Sequence, residues 1–379
     1  MKALYGLRQS ARAWYEELVS KLLQMGFRRS TCNHSVFYQK NESGWVILTL
    51  HTDNITGVGS STQEIEKTRT EISKVWKFKE KNLDEPVKIL GILLQRTYDG
   101  SIHISQPDFI VDALQQYNYT DATDRTTPGN PNTKLTINDV PFTETEENMQ
   151  HRKLYQSVIG TLQYAASATR PDIAFRVRQL AQYNQNPSGT HMTAAFDILH
   201  YLKHTKTYGI TYSFGPSDLL GYCDANYANN LDTRKSTSAY IFLLAGGPVN
   251  WSSKSQSRIA QSTTEAEYTA LNHAGREAIW LRNLSQEIGL FQSVPAIPIH
   301  TDNAGAVALA NNPVFHARTK HIAIEGHWVR EIIADKLIRI VQVPTALNVA
   351  DILTKPLPQQ NHYQQLKLLN FRPFEDLQK

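Results

Sequence analysis

The chain has little cysteine and no long apolar run. Two cysteines among 379 residues, Cys32 and Cys223, stand too far apart for a metal knuckle and read as reduced thiols. No stretch approaches the roughly 18 uninterrupted apolar residues of a membrane span, and Met1 to Arg8 has no signal-peptide apolar core. These absences point to an intracellular protein, cytoplasmic or nuclear, with no membrane partner. Nor does any spacing of Ser, Cys or His support a serine, cysteine or zinc hydrolase. Charge of either sign is nearly balanced, at a net +4 with a pI near 8.8. Basic residues still cluster at Arg8 to Arg29, at Arg234-Lys235 and at Arg318-Lys320-His321. Such runs suit a phosphate backbone, although solvated faces carry them too.

What is present is a length of 379 residues, enough for two or three domains each burying its own core, and an apolar fraction of 41% that fits a soluble globular protein. Helical spacing predicts a helix from Ser10 to Gly26, then strands at Ser35 to Gln39 and Trp45 to Leu50, and a polar helix from Ser61 to Val75. Leu90 to Leu94 and Ser101 to Ser105 read as a hairpin around Tyr98-Asp99-Gly100. The Thr-, Pro- and Asn-rich stretch from Asp121 to Glu147 reads as a connector. Helices follow at His151 to Ala168, Asp172 to Tyr183 and Thr190 to Thr205.

From Leu219 the order changes. A strand runs from Leu219 to Cys223 and ends at Asp224, and a hairpin from Ala239 to Ser253 turns at Gly246-Gly247. A long helix spans Thr264 to Gly289. A strand from Ile297 to Thr301 ends at Asp302 and leads into an Ala-rich helix, followed by a helix from Val329 to Ala334 and a strand from Leu337 to Val343. The fold class is therefore α/β, with a mixed sheet downstream and an α+β region upstream.

Four acids stand at the ends of these elements: Asp224, Glu267, Asp302 and Asp351. Singly, each has a bland reading as a turn residue or helix cap. Their order on strand, helix, strand and helix suggests convergence, and converging carboxylates need cations such as Mg²⁺. The long helix offers two glutamates. At about 100° per residue, Ala270, Leu271, Ala274, Ala278 and Leu281 all lie within roughly 60° of Glu267, which therefore heads the stripe facing the sheet. Glu265 lies roughly 160° away, where it complements the helix dipole.

Residues 219–358 resemble the ribonuclease H domain of copia-type retrotransposon polyproteins. The resemblance rests on Gly221-Tyr-Cys-Asp-Ala-Asn-Tyr-Ala228, Asp232-Thr-Arg-Lys-Ser-Thr-Ser-Ala-Tyr240, Asn250-Trp-Ser-Ser-Lys-Ser-Gln256, Ser262-Thr-Thr-Glu-Ala-Glu-Tyr268, Arg318-Thr-Lys-His-Ile322 and Asn348-Val-Ala-Asp-Ile-Leu-Thr-Lys355. It implies cleavage of the RNA strand of an RNA–DNA hybrid with two Mg²⁺ ions, Mn²⁺ being a possible substitute. Asp224 is expected on both ions, Glu267 and Asp302 on one and Asp351 on the other. Arg234, Lys235, Lys254, Arg318 and Lys320 are expected either at the nucleic-acid backbone or as plain surface charge. Many ribonuclease H enzymes carry a histidine just before the last aspartate. Val343 to Asp351 has none, so if a histidine assists product release His316 or His321 would have to supply it, the other reading of both being ordinary surface histidines.

Residues 2–215 resemble the second half of a copia-type reverse transcriptase and its connection. The matching stretches are Lys2-Ala-Leu-Tyr-Gly-Leu-Arg-Gln-Ser-Ala-Arg-Ala-Trp-Tyr15, Leu90-Gly91-Ile92, Ile104-Ser-Gln-Pro107 and Thr169-Arg-Pro-Asp-Ile-Ala-Phe175. The implied organisation is a truncated palm and thumb remnant at 1–120, a connector and helical connection at 121–215, the ribonuclease H-like domain at 216–358 and a tail at 359–379. Where the family reads Tyr-Val-Asp-Asp, this chain reads His51-Thr52-Asp53-Asn54, and the early palm strand with its aspartate would precede Met1. Asn54 keeps the shape of an aspartate without its charge, leaving a degenerate polymerase site at Asp53 and Asn54. The expectation is ribonuclease H without reverse transcription, in a chain that works with the remainder of a Pol polyprotein. The alternative is a catalytically silent remnant that at most binds nucleic acid.

Overall fold

The computed structural model describes residues 9–52, 54–77, 85–120, 123–137, 145–215, 218–291, 295–311 and 323–378, with the side chains of 323–326 excepted. The chain divides into two compact units, Met1–Lys81 with Ile279–Pro295, and Asn82–Ala278 with Ala296–Lys379.

In the first unit, helix α1 (Ser10–Gln24) stops where Gly26 takes a φ of 88°, a left-handed conformation open to glycine at no steric cost. An antiparallel sheet follows in the order β1 (Arg28–Arg29), β2 (Val36–Asn41), β3 (Gly44–His51) and β4 (Asn54–Gly59). Leu18 and Leu22 of α1 pack on Phe37, Val46, Leu48 and Leu50 of the sheet and on Ile72 of helix α2 (Thr62–Ser73). Ser61 caps α2 by accepting from the Glu64 amide. β4 is an edge strand in the described sheet, and its Val58 is 47% exposed.

The second unit opens with β5 (Val87–Ile89), β6 (Ile92–Arg96) and β7 (Ile102–Ser105), each antiparallel to the next. Leu90 and Gly91, expected as the start of a strand, form the β5–β6 turn instead. Both have positive φ, at 50° and 74°, as a two-residue hairpin turn of matching twist demands. Helices α3 (Pro107–Gln116), α4 (Glu146–Ala168), α5 (Pro171–Ala181) and α6 (Gly189–His204) bury an apolar cluster that includes Tyr155, Leu162, Ile173 and Ile198. Pro171 at the first position of α5 separates it from α4. Strand β8 (Tyr208–Tyr212) extends the sheet beside β7.

A mixed sheet completes the unit. Strands β9 (Leu220–Asn226), β10 (Thr237–Leu244) and β11 (Gly247–Ser255) are antiparallel neighbours, whereas β12 (Ile297–Thr301) lies parallel to both β9 and β13 (Ile338–Gln342). The order is β11-β10-β9-β12-β13, with the antiparallel strands first in sequence as expected. Helix α7 (Thr263–Glu287) follows β11, α8 (Ala304–Asn311) follows β12 and α9 (Ala323–Ala334) precedes β13. Residues 359–379, expected as a tail, carry α10 (Gln359–Leu368) and β14 (Phe371–Pro373), which pairs antiparallel with β8. Leu366, Leu369 and Phe371 are all buried, so apolar burial holds this segment against the unit.

Candidate active site

Asp224 lies inside β9, opposite Ala239 of β10, because the ladder continues two residues further to Asn226 opposite Thr237. Glu267 sits in the second turn of α7, and Ala270, Leu271, Ala274 and Ala278 behind it are wholly buried. Asp302 directly follows β12. These three acids, from strand, helix and strand end, offer carboxylate oxygens that all lie within 4.8 Å of one another. Glu265 is half-buried, and its carboxylate accepts from the Gln261 amide at 2.7 Å, closing the start of α7 as a helix-capping acid does.

Asp351, in a 3₁₀ turn spanning Val349–Leu353, stands outside that close group of three. Its Oδ2 pairs with Lys355 Nζ at 2.9 Å. Hydroxyls orient the two other aspartates: Thr345 Oγ1 donates to Asp302 Oδ2 at 2.6 Å, and Thr354 Oγ1 donates to Asp224 Oδ2. Asn348, fully buried, donates through Nδ2 to the Cys223 carbonyl at 3.0 Å and fixes the turn against β9. The pattern of residues 348–355 thus binds its own acid to the one on the strand. Nothing in the sequence pattern alone marks Thr354 or Thr345 as part of this site, and Lys355 is marked only by its spacing. The four-residue spacing of Lys355 from Asp351 was the available signal, since it puts both side chains on one face of a helical turn.

Burial in an acid-rich site disfavours charge. Asp224 is pushed up to about 7, by burial first and by Asp351 and Asp302 after it. Glu267 rises to about 9 through burial, Asp224 and Asp302. Asp351 is also raised, chiefly by burial, with Lys355 opposing. Burial alone would pull Lys355 down, but Asp224 and Asp351 outweigh it and hold its proton. Glu267 Oε2 and Asp351 Oδ1 are buried, with no hydrogen-bond partner among the described residues.

Raised carboxylates stabilise the fold fully below the unfolded value near 4 and lose that contribution as pH climbs through their folded values. The metal-free protein should therefore lose stability from about pH 4 towards about 9. Melting temperature measured across that range in a chelator should fall, and millimolar Mg²⁺ or Ca²⁺ should flatten the decline. A pH dependence indifferent to divalent cations would contradict this account of the site.

Arg234 and Lys235 lie in the turn between β9 and β10, and Arg234 is exposed with a φ of 55°. Lys254 is exposed on β11 opposite Ser238, which pairs in turn with Ala225, so its side chain leaves the opposite sheet face from that of Asp224. Arg318, Lys320, His316 and His321 lie outside the described residues, as does Asp53. Asn54 opens β4 opposite His51, at the corner of the β3–β4 hairpin. Both cysteines are free, and Cys223 is buried. No described helix is long and apolar enough to cross a membrane.

A family model described as reverse transcriptase (RNA-dependent DNA polymerase) matches residues 1–131. The retrovirus-related Pol polyprotein from transposon TNT 1-94 of Nicotiana tabacum is 36% identical over 94% of this chain, but the chain spans only 27% of that polyprotein. A Ty5-1 transposon protein of Saccharomyces cerevisiae is 30% identical over 70% of this chain and 84% of its own length. Among solved structures, LC11-RNase H1 in complex with an RNA/DNA hybrid aligns with 36% of this chain and 94% of that one, at 16% identity and a TM-score of 0.28. By the reverse-transcriptase match and the length of these relationships, the chain belongs to the copia-type retrotransposon Pol polyprotein family.

Proposed function

We propose that this chain is a divalent-cation-dependent ribonuclease H acting on the RNA strand of RNA–DNA hybrids, and that its reverse-transcriptase segment does not polymerise DNA. The observation that carries the reading is the group of carboxylate oxygens of Asp224, Glu267 and Asp302 within 4.8 Å, two of the three acids being buried. The donor set is all oxygen, and unpartnered buried oxygens on Glu267 and Asp351 leave lone pairs to be satisfied, so the residues fit hard cations such as Mg²⁺ or Mn²⁺. When bound, such ions supply a polarised phosphoryl oxygen and a water acidified towards neutral pH.

The protein's own groups prepare the site. Thr354 and Thr345 fix one oxygen each of Asp224 and Asp302, leaving the other free to ligate. Lys355 offsets negative charge at Asp351. In this reading Asp224, Glu267 and Asp302 would hold one ion, and Asp351 with Asp224 would hold a second. Residues 216–358 form the catalytic domain, and those at 1–120 and 121–215 are its polymerase-derived support. Arg234, Lys235, Arg318 and Lys320 contribute backbone contacts, whereas Lys254 leaves the other face of the sheet; recognition rests on groove shape and 2′-hydroxyls rather than on base sequence. Loss of polymerisation follows from Asn54, whose amide cannot replace a metal-binding carboxylate.

The full chain should cut the RNA strand of an end-labelled hybrid in Mg²⁺, stop on addition of EDTA, and fail to extend a DNA primer on the same template. Tight hybrid binding in Ca²⁺ with no turnover in Mg²⁺ or Mn²⁺ would favour a silent remnant instead. Primer extension by this polypeptide alone would overturn the second half of the proposal.

A further inference from the structure

A cavity of about 190 Å³ opens between the 131–135 segment, helix α5 and the turn that follows β9. Its polar lining includes Lys134, Arg176, Gln179, Asn226, Asn229 and Asn230, and among the described residues no carboxylate lines it. The volume is roughly six times the ~30 Å³ that a water occupies in the liquid, so more than a single bridging water has room.

Arg176 is the unusual member. It is 3% exposed, and among the described residues its buried Nε and Nη2 have no hydrogen-bond partner. Its Nη1 donates to Gln179 Oε1 at 2.7 Å. Among the described residues it makes no ion pair, and Asp197, the acid that attracts it, is paired with Arg125 at 2.7 Å. The guanidinium cannot escape by losing its proton. It cannot swing freely either, because the connector backbone lies against it: a Cβ on Gly129 would come within 2.7 Å of its Nε. A second cavity against Arg176, of about 10 Å³, admits one water at most. A buried cation with free donors and no acid paired to it directly is costly unless an anion completes it, and the fork of a guanidinium matches phosphate oxygens.

The cavity also has a telling position. Asn226 follows Asp224 by two residues on β9, and the lining residue Pro356 follows Lys355 directly. The site thus flanks the acid cluster within the same compact unit.

We propose that this cavity binds a backbone phosphate of the nucleic-acid substrate, with Arg176 providing the buried charge and Lys134 and Asn229 the outer contacts. Resting on the hybrid-cleavage reading above, the site holds the duplex in register beside the carboxylates. Neither Gln179 nor Asn230 is free to take the leading role, since Gln179 accepts from Arg176 and Asn230 holds Gln182 and the turn amides of Asp232 and Thr233.

The test uses the full chain, a short labelled RNA–DNA hybrid and Ca²⁺, which permits binding without turnover. Lys134→Glu changes an exposed side chain. Asn229→Asp keeps the oxygen that accepts from Thr237 Oγ1 at 3.0 Å while adding negative charge to the wall, so neither variant threatens the fold. Each should weaken hybrid binding by roughly tenfold and lower the slope of log affinity against log salt by about 1. Inorganic phosphate should raise the melting temperature of the parent chain more than that of Asn229→Asp. Affinity and salt slope unchanged in both variants, with hybrid cleavage intact, would overturn the phosphate site and leave the nuclease reading standing. Weakened binding by both variants in a chain that never cleaves would support the site and sink the nuclease.

Discussion

Asp224→Asn should reduce Mg²⁺-dependent cleavage of the hybrid by more than the roughly 100-fold that loss of an outer-shell partner costs at a metal site. The side chain keeps its shape, so the fold around β9 survives and only charge is lost. Asp224 is the acid that the others converge on: it raises Glu267 by repulsion, is itself raised by Asp351, and accepts the Thr354 hydroxyl. Without metal the same substitution should be stabilising above neutral pH, because it removes a buried charge that the folded state resists up to about 7. The two effects have opposite signs, and single-turnover cleavage together with melting temperature in EDTA reads both. Glu265→Gln is the control, expected within about twofold of the parent, since that carboxylate caps the Gln261 amide and the capping oxygen persists in the amide. Near-parental cleavage by Asp224→Asn, or comparable loss in Glu265→Gln, would remove the basis for assigning the chemistry to this cluster.

The legible part of the site was the part set by local periodicity. Glu267 could be separated from Glu265 because a step of two residues, roughly 200° of helix, puts them on different sides, and a run of alanines marked the side that packs. Asp302 was readable from the apolar strand that ends immediately before it. The apolar run alone ends a strand at Asp224, yet the strand runs on to Asn226 because β10 supplies partners as far as Thr237, and pairing across a hairpin is not written in the alternation of one strand. The same limit hid β14, three residues whose partner β8 lies far upstream in the chain. Fold class survived these errors, since it depends on the order of elements and not on their last residues. Arg176 was illegible for another reason: an arginine on an amphipathic helix reads as surface charge, and only the packing of Gly129 over it reveals burial.

Asp172→Ala should destabilise the second unit by about 3–5 kcal/mol, the usual penalty for leaving one partner of a buried ion pair alone. Arg170 and Asp172 are both wholly buried and meet in a bidentate pair, Nε to Oδ1 at 3.0 Å and Nη2 to Oδ2 at 2.7 Å. The guanidinium also donates to the Thr205 carbonyl and hydroxyl, at 3.1 and 2.6 Å. Tyr201 donates its hydroxyl proton to Asp172 Oδ2 at 2.6 Å, so at the 2.9 Å contact with His362 the histidine Nε2 must be the donor. Burial keeps that histidine neutral by pulling it down to about 4, which allows one ring proton and places it on Nε2. The network therefore runs from α5 through α6 to α10, and losing Asp172 should loosen the C-terminal segment as well as the connection helices. Burial would raise the Asp172 carboxyl, but Arg170 outweighs it and holds it below the usual range. Its contribution is thus present above the unfolded value near 4 and fades as pH falls below it. Urea denaturation at neutral pH measures the loss, and hydrogen exchange in Gln359–Leu368 locates it. Replacing both partners, as Arg170→Met with Asp172→Leu, should cost less than Asp172→Ala alone, since no buried charge is left unpaired. A single-variant loss below about 1 kcal/mol would mean that water reaches the guanidinium, and the pair would then be a surface-like contact with correspondingly little worth.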